Sequence, residues 1–420
     1  MSENTSQGRA RLTQSQLELL LIAHERLIEG KPGGKRITLR FVNLSGLDLS
    51  GRNLAEADFS GSSFDGAVML KVNLERANLF GCDLRNADMR AANLRRADLR
   101  GASLRGANLA KADLSQADFR EGQIAIPHPS KGLSMMRHEA RSGEADAANF
   151  SGATLDGSKM NGSTACKADF TDCSMRGVKL TGANLKEANL SGALLQDAEI
   201  GGANFEGANL SGAVLTGVDT GGARMGGANL SGALRDRPAD AGAHDADLLQ
   251  RAQAHELWCR SGGRYGQHTA FDNQDLRGLG AQLKGMLLTA LSARNACCVG
   301  LDLAGCELQG INFEGADLRG ANLNAADLRG ARLAGANLTK TSLRQAKLSP
   351  LPVGGRSAPT VCTGARMRYV KAQGADCAGA VFDEADLHGA NFEDAVTTGA
   401  SWKHAILDGA VGIEIGKAAA

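Results

Sequence analysis

Residues 77–118 read ANLFG CDLRN ADMRA ANLRR ADLRG ASLRG ANLAK ADLSQ AD, and the spacing of their large apolar residues decides the fold. A Leu, Met or Phe returns at every fifth position, which we call position i. A small residue stands at i−2, Asn, Asp or Ser stands at i−1, and polar residues or Gly follow at i+1 and i+2. A period of five fits neither a helix face nor a flat strand. It fits a chain that turns a corner every five residues, with positions i and i−2 pointing inward.

The same register extends through four runs that together cover about two thirds of the chain. Four corners per turn predict a square coil, and successive coils should stack through backbone hydrogen bonds at strand spacing, about 4.8 Å. Position i runs from Leu39 to Phe119, from Phe150 to Leu230, from Leu283 to Leu348 and from Met367 to Leu407.

The A-(D/N)-L-x-x word of these runs resembles the motif of the pentapeptide-repeat family. The resemblance implies a right-handed quadrilateral β-helix with four pentads per coil. Together with the interruptions described below, we expect an all-β solenoid of this kind in two halves, with short α-helices capping or joining the coils. A fold of this kind hosts several functions, so the resemblance says less about activity. The best-known members of the family confer quinolone resistance by mimicking DNA against gyrase, and they are strongly acidic rods. This chain has a net charge of +1 and departs from that pattern.

Pro-containing stretches and helical stretches interrupt the pentads, and the repeated order of helix, coils, insert and coils indicates an ancient duplication with its boundary near residue 240. The predicted organisation is an N-terminal capping helix and linker (1–36), β-helix (37–120), a Pro-containing insert (121–147), β-helix (148–234), a linker with a capping helix (235–280), β-helix (281–348), a second Pro-containing insert (349–364), and β-helix with a C-terminal tail (365–420).

The two predicted helices share a short word. Ala23-His-Glu lies on the first, at 13–30, and Ala254-His-Glu lies on the second, at 243–260. Thr13 with Gln16 fits a capping box at the start of the first helix. Its apolar face is predicted to consist of Leu17, Leu20, Leu21, His24, Leu27 and Ile28. Since an open solenoid end exposes apolar side chains and an unpaired strand edge, both helices are expected to act as caps.

The nine cysteines are read mainly as packing residues. Cys82, Cys173 and Cys306 stand at i−2, and Cys298 and Cys377 stand at i, so all five are expected to be buried. Cys166 and Cys297 are expected to lie outside, and Cys259 lies on the second helix. A cysteine nucleophile needs a nearby base and an electropositive setting, and the sequence shows neither. We expect no catalytic residue, no metal site and no cofactor.

Two histidines in the shared Ala-His-Glu word leave two interpretations open. His24 and His255 are either a ligand or catalytic pair, in an enzyme site between the solenoids, or helix histidines hydrogen-bonded at the junction with the coils. The sequence favours the second, because neither histidine has the H-x-x-x-H spacing of a helical metal pair. His128 and His138 lie near Met135 and Met136, where a surface loop is favoured over a soft-metal site.

Charge is distributed unevenly along the chain. Residues 66–120 hold ten Lys/Arg against six Asp/Glu, whereas residues 367–415 hold three against eight. With a 20-residue coil, Arg85 stacks on Arg105 and Arg100 stacks on Arg120. The favoured interpretation is a solubilising face with salt-bridged neighbours, and the alternative is a face for an anionic partner. This basic belt consists of Arg85, Arg95, Arg100, Arg105 and Arg120.

For function, the sequence favours a non-enzymatic scaffold that mediates protein–protein interaction through solenoid faces and inserts. The partner is an unknown protein, with a homo-oligomer through the C-terminal coil as a further expectation, since Val411-Gly-Ile-Glu-Ile415 finishes the last coil or pairs with a second chain. The alternative is a DNA mimic or a nucleic-acid- or topoisomerase-binding protein. Candidate interaction residues in the inserts are Ile126, His128, Met135, Met136, Arg137, Leu351, Val353 and Arg356.

The expected location is cytoplasmic, without a membrane partner. The start Met1-Ser-Glu-Asn-Thr has neither the basic nor the apolar segment of a signal peptide. No apolar run reaches the length of about 18 residues that a membrane span needs.

Overall fold

The computed structural model describes residues 9–128, 132–238 and 241–413, and most of them form a β-helix solenoid. The chain divides into two compact units between Asp236 and Arg237. Each unit starts with a capping helix and continues as stacked coils. Each has its own apolar core, which runs along the middle of its coils.

Parallel backbone bridges join residues 20 positions apart and define the coil. Asp83 bridges Ser103, and Asp88, Asn93 and Asp98 each bridge the residue 20 positions further on, which gives four sides per coil. Within one pentad the N–H of Asp83 donates to the carbonyl of Ser62 in the coil before, at 2.9 Å. The next N–H, that of Leu84, donates to Ser103 in the coil after, at 2.8 Å. The five-residue turn predicted from the sequence is therefore confirmed.

Positions i and i−2 fill the interior, as the pattern predicts. Leu79 and Leu84 at i, and Ala77 and Cys82 at i−2, are completely buried. A small polar group at i−2 is tolerated because it donates a hydrogen bond to the carbonyl of a residue at i in the preceding coil. The Cys82 thiol reaches the Phe59 carbonyl at 3.0 Å in this way. The five cysteines predicted to be buried are all buried.

The first insert is an antiparallel hairpin of β3 (Gly122–His128) and β4 (Gly132–Arg141). The coils continue across it, because Ser103 bridges Glu144, which is 21 residues beyond the usual partner position. The β-helix resumes before residue 148, earlier than the pattern predicts. The reason is that Ala145 occupies a centre position where the pattern expects a large side chain.

The second insert is a smaller hairpin of β5 (Leu351–Val353) and β6 (Arg356–Ala358). Arg332 bridges Val361, nine residues beyond the usual partner. Cys362 already occupies a centre position and is buried, so the β-helix resumes before residue 365. Both hairpins are thus excursions from one side of a coil and leave the stacking intact.

Two helices and one added strand complete the units. The strand β1 (Ala10–Arg11) pairs in parallel with β2 (Val42–Asn43) of the first coil. Helix α1 (Gln14–Ile28) begins after Thr13, which forms the predicted capping box with Gln16. Helix α2 (Ala241–Arg260) opens the second unit, and a short 3-10 turn (Arg277–Leu279) follows it.

The apolar face predicted for α1 is partly wrong. Leu17, Leu21 and His24 are buried, but Leu20, Leu27 and Ile28 are exposed. The helix touches the coil end through a narrow stripe one residue wide at each turn. Residues only slightly off that stripe therefore face outward.

The first coil of the second unit is wider than the others. Ala270 bridges Ser292 and Asp275 bridges Cys297, both 22 positions apart. An apolar cavity of ≈ 10 Å³ lies in the core beside it. Ala293 and Cys298 line this cavity and occupy centre positions at which most pentads carry Leu, so the space left by these small side chains accounts for it.

Candidate functional site

His24 on α1 is completely buried, and both of its ring nitrogens contact backbone. The N–H of Ile37 donates to Nδ1 at 3.2 Å, and Nε2 lies 3.0 Å from the carbonyl of Ala55. Because a carbonyl only accepts hydrogen bonds, the proton of the neutral ring is on Nε2. Burial lowers the pKa of His24, which keeps the ring neutral.

His255 on α2 repeats this arrangement. The N–H of Thr269 donates to Nδ1 at 3.2 Å, and Nε2 donates to the carbonyl of Thr289 at 3.1 Å. The ring is completely buried, and burial lowers the pKa of His255 as well. The interpretation as helix histidines hydrogen-bonded at the coil junction is confirmed for His24 and His255. Neither ring has a nitrogen left for a metal or a substrate.

The glutamate of the Ala-His-Glu word accepts hydrogen bonds from backbone N–H groups of the coils. The N–H of Asn53 donates to Glu25 at 3.2 Å, and the N–H of Leu287 donates to Glu256 at 3.4 Å. On another side of the first coil, the side-chain amide of Gln14 accepts from the N–H of Asp48 and donates to its carbonyl. The cap thus satisfies backbone groups that the first coil would otherwise leave without partners.

A glycine brings the linker back along each helix. The N–H of Lys35 donates to the carbonyl of Ala23 at 2.8 Å, and the N–H of Gln267 donates to Ala254 at 3.0 Å. A side chain at Gly34 would lie 2.4 Å from the backbone nitrogen of Leu27, so only glycine permits this approach. The two caps share histidine, glutamate and glycine in equivalent roles, which supports a duplication.

The cysteines have the environment of packing residues. Burial raises the pKa of Cys82 to about 12 and that of Cys306 to about 11. Cys166, Cys259 and Cys297 are only partly buried, and burial still raises their pKa. Over the residues that the structure describes, no group of three or more His, Cys, Asp or Glu could hold a metal ion.

The first hairpin is fastened to the solenoid at its base. Ile124 is 5% exposed and its side chain lies against the corner glycines Gly81 and Gly101. Arg141 donates to the carbonyl of Gly101 at 2.6 Å and to that of Gly81 at 2.9 Å. Burial lowers the pKa of Arg141. Both corners have a positive φ, which glycine adopts without strain, and the absence of a side chain at each of them leaves the space that Ile124 fills.

The candidate interaction residues lie on the two hairpins. Ile126, His128, Met135, Met136 and Arg137 are strand residues of the first hairpin, and their side chains lie outside the described residues.

On the second hairpin, the side chain of Leu351 is partly buried against Gly330. Val353 is 57% exposed and Arg356 is exposed, at either side of the Gly354–Gly355 turn. The second hairpin therefore has an anchored base, like the first, and its own tip is exposed.

Three arginines of the basic belt pair with an aspartate of their own pentad. Nε and Nη2 of Arg85 donate to the two carboxylate oxygens of Asp83, both at 2.7 Å. Arg100 and Arg120 make the same two bonds to the aspartates two positions before them. Such bidentate pairs hold the guanidinium along the solenoid face. The sequence signal is the word Asp-x-Arg, with Asp at i−1 and Arg at i+1, which sequence reasoning missed.

The other two belt arginines have acidic neighbours in the next coil. Arg95 lies 3.3 Å from Asp113, and Arg105 lies 3.7 Å from Glu144 and 3.9 Å from Asp146. Adjacent coils bring Arg105 next to Arg85 and Arg120 next to Arg100, as expected. The geometry favours the interpretation that these arginines form salt bridges with their neighbours over the interpretation that they form a face for an anionic partner.

Within the three described ranges, no helix has both the length and the apolar character needed to cross a membrane.

The model of the family described as pentapeptide repeats matches the chain in eight copies, which together cover more than half of it. The matched residues are 43–81, 82–120, 148–186, 173–212, 208–233, 296–333, 326–349 and 360–399. Comparison with curated proteins gives no match.

Several solved structures similar to this chain are described as pentapeptide repeat proteins or as a fluoroquinolone resistance protein. HetL of the cyanobacterium Nostoc sp. strain PCC 7120, involved in heterocyst differentiation regulation, is 20% identical over 92% of this chain and 94% of its own, with a TM-score of 0.15. A protein of the Arabidopsis thaliana thylakoid lumen is 30% identical over 31% of this chain and 66% of its own, with a TM-score of 0.18. Full-length QnrB1, a plasmid-mediated fluoroquinolone resistance protein, is 19% identical over 50% and 98%, with a TM-score of 0.16.

Proposed function

The chain belongs to the pentapeptide-repeat family, and from this premise we propose that it is a non-enzymatic scaffold that binds a partner protein through its hairpin inserts. We also propose that the β-helix is right-handed and quadrilateral. The observation that carries it is the anchored base of the first hairpin. Ile124 and Arg141 fix that base on a rigid face, and the strands continue away from it. Segments presented on a rigid frame are where recognition residues concentrate.

The described histidines and cysteines support a role without catalysis. His24 and His255 are occupied by backbone hydrogen bonds. The thiols of Cys82 and Cys306 have a raised pKa, whereas a nucleophilic cysteine has a lowered one. What these groups do is hold the coils and caps together.

The structure allows each hairpin to be removed without changing the register of the coils. Deleting residues 122–142 joins Glu121 to Gly143, removes the 21 extra residues and leaves the ordinary five-residue spacing between the centre residues Phe119 and Ala145. Deleting residues 351–359 does the same for the nine extra residues of the second hairpin. Circular dichroism and thermal melting should show that both deletion variants remain folded.

The test is a comparison of tagged full-length protein with the two deletion variants in crosslinked cell extracts. A partner that is recovered reproducibly with the full chain and lost with one of the two hairpin deletions supports the proposal, and the other deletion variant then serves as the matched control for a shortened loop. Recovery of the same proteins by all three forms would refute it.

The alternative function, a DNA mimic or a nucleic-acid- or topoisomerase-binding protein, has one observation in its favour. Glu384, Glu393, Asp394 and Asp408 are exposed near the end of the second unit. Mimicry needs a stripe of negative charge at phosphate spacing. Inhibition of gyrase supercoiling would favour mimicry, and a salt-dependent DNA shift that is lost on substituting Arg95 and Arg105 would favour nucleic-acid binding.

A further inference from the structure

The outward side of α1 carries four large aliphatic side chains in water, which we call the cap ridge: Leu19, Leu20, Ile22 and Leu27. Leu19 is 72% exposed, and the other three are between 38% and 43% exposed. They leave on the order of a few hundred Å² of neighbouring apolar surface uncovered, the size at which exposed patches mark interaction sites.

The second unit shows that a cap does not need this ridge. When His24 is matched with His255, three of the four ridge positions, those of Leu19, Leu20 and Ile22, are taken on α2 by Gln250, Arg251 and Gln253, while the fourth, that of Leu27, is taken by the partly buried Trp258. Both helices keep the buried stripe and the backbone contacts of histidine and glutamate. The polar residues of α2 are therefore compatible with capping. Capping therefore does not explain why the cap ridge carries aliphatic residues.

A basic strip runs beside the cap ridge and consists of Arg26, Lys31, Lys35 and Arg36. All four residues are exposed. The backbone bond from Lys35 to Ala23 places the strip along the helix. Residues 9–40 hold seven Lys/Arg against three Asp/Glu, whereas the equivalent residues 241–272 hold three against four. The basic character, like the ridge, belongs to the first cap alone.

A second exposed apolar surface lies at the last described coil of the second unit, and we call it the terminal edge. Its bridging positions carry Val396, Ile406 and Val411, which are 52%, 50% and 37% exposed, where most pentads of the chain carry Asn, Asp or Ser. Trp402 and Leu407 in its centre are only partly buried. Among the described residues, the N–H groups of Trp402 and Leu407 have no hydrogen-bond acceptor.

The surroundings of the terminal edge are acidic. Residues 381–413 hold six Asp/Glu and a single Lys, and four of these carboxylates, Glu384, Glu393, Asp394 and Asp408, are exposed. An apolar surface with acidic side chains thus lies at the last described coil of the second unit, and an apolar surface with basic side chains lies on the first cap. The two surfaces are complementary because both are apolar and the charges around them are opposite in sign.

We propose that the cap ridge of one copy docks on the terminal edge of a second copy, head to tail. The outward side of α1 would then cover the last coil of a neighbour as its inward side covers the first coil of its own chain. Charge selects this pairing, because two terminal edges would bring acidic side chains together and two caps would bring basic ones together. Such a heterologous contact gives open chains or closed rings. It does not depend on the hairpins, so its failure leaves the proposed scaffold function untouched.

The first test measures self-association of the full chain by analytical ultracentrifugation. The association constant is expected to fall about tenfold as salt rises from low to high concentration, because the charges are exposed and screened. The variant L19Q/I22Q carries the residues that α2 has at these positions, so its cap should fold and its association should be lost. The matched control is Leu257→Gln, at an exposed leucine of α2 outside both surfaces, with association unchanged.

The second test distinguishes a head-to-tail contact from a symmetric one. Ile406→Lys disables the terminal edge, and the change is compatible with the coil since Lys159 and Lys179 occupy bridging positions elsewhere. Each variant alone should be a monomer, and a mixture of L19Q/I22Q with Ile406→Lys should give a one-to-one dimer and nothing larger. Association of either variant alone, a mixture that stays monomeric, or a wild-type chain without self-association would overturn the proposal.

Discussion

Replacing His24 with alanine should open the N-terminal end of the first unit. The substitution leaves the N–H of Ile37 and the carbonyl of Ala55 in a buried place without the ring nitrogens that they contact at 3.2 and 3.0 Å. A buried backbone group without a partner costs about 1–3 kcal/mol. Since some water will enter the space left by the ring, we expect the cap to lose about 2–4 kcal/mol in total.

Hydrogen exchange is the appropriate assay, because coils of a solenoid open locally and a single unfolding midpoint would hide the effect. A loss of about 2–4 kcal/mol corresponds to roughly thirty-fold to thousand-fold faster exchange of the amides between residues 37 and 55. His255→Ala is the matched control, with faster exchange between residues 269 and 289 instead. Unchanged exchange at 37–55 in His24→Ala would refute the role that we assign to the histidine.

The same pair of histidines predicts how the caps respond to pH. In an opened cap the imidazole has its ordinary pKa of about 6.5, whereas burial lowers it in the closed cap. The opened state therefore takes up a proton first. Cap stability is complete above pH about 6.5 and falls below it, by at most about 1.4 kcal/mol per pH unit for each histidine. In His24→Ala the exchange of the first coil should lose this dependence between pH about 6.5 and 5, while the second unit keeps it.

Three further predictions concern the core, the first hairpin and the thiols. Cys298→Val should raise the stability of the second unit by about 0.5–1 kcal/mol, measured by hydrogen exchange, because it adds about one methyl group beside the cavity. Arg141→Gln removes both anchoring bonds to the solenoid, so limited proteolysis should cut the first hairpin faster while the coils stay intact. In native protein, a thiol reagent should modify the partly exposed Cys166 and Cys259 before the fully buried Cys377, and an equal rate for all thiols would contradict the packing that we describe.

The pentads were predictable because each position is fixed by a different physical need. Leu84 fills the centre, Cys82 fits where the corner leaves little room, and Gly101 adopts a positive φ at the turn. These needs repeat in every pentad, so the signal accumulates over the chain. The points at which the coils resume after the hairpins were less predictable, because Ala145 and Cys362 are small residues in centre positions and the pattern recognises only large ones there.

The surface chemistry was harder to predict, because it depends on pairs that the sequence does not mark as pairs. Arg85 looked like one charge of a belt, but its own pentad supplies Asp83 as a bidentate partner. The roles of Ile124 and Arg141 needed the hairpin to fold back onto the glycine corners, a contact between residues about 40 positions apart. Periodicity describes one pentad at a time and carries no information about such contacts.

The two caps together separate residues that build the fold from residues that serve another purpose. Polar groups that contact the coil backbone, such as His24 and Glu25, recur at their counterparts His255 and Glu256, because every first coil has the same backbone edge to satisfy. Exposed residues such as Leu19 do not recur, because no common physical need determines them. When a helix is apolar on two sides, hydrophobicity alone does not distinguish the side that packs on the coil from the side that is exposed, because the two sides form one continuous apolar pattern in the sequence. The duplicated copy makes the division, because capping does not require what the second cap lacks. The exposed aliphatic ridge is therefore the part of α1 that we propose for binding.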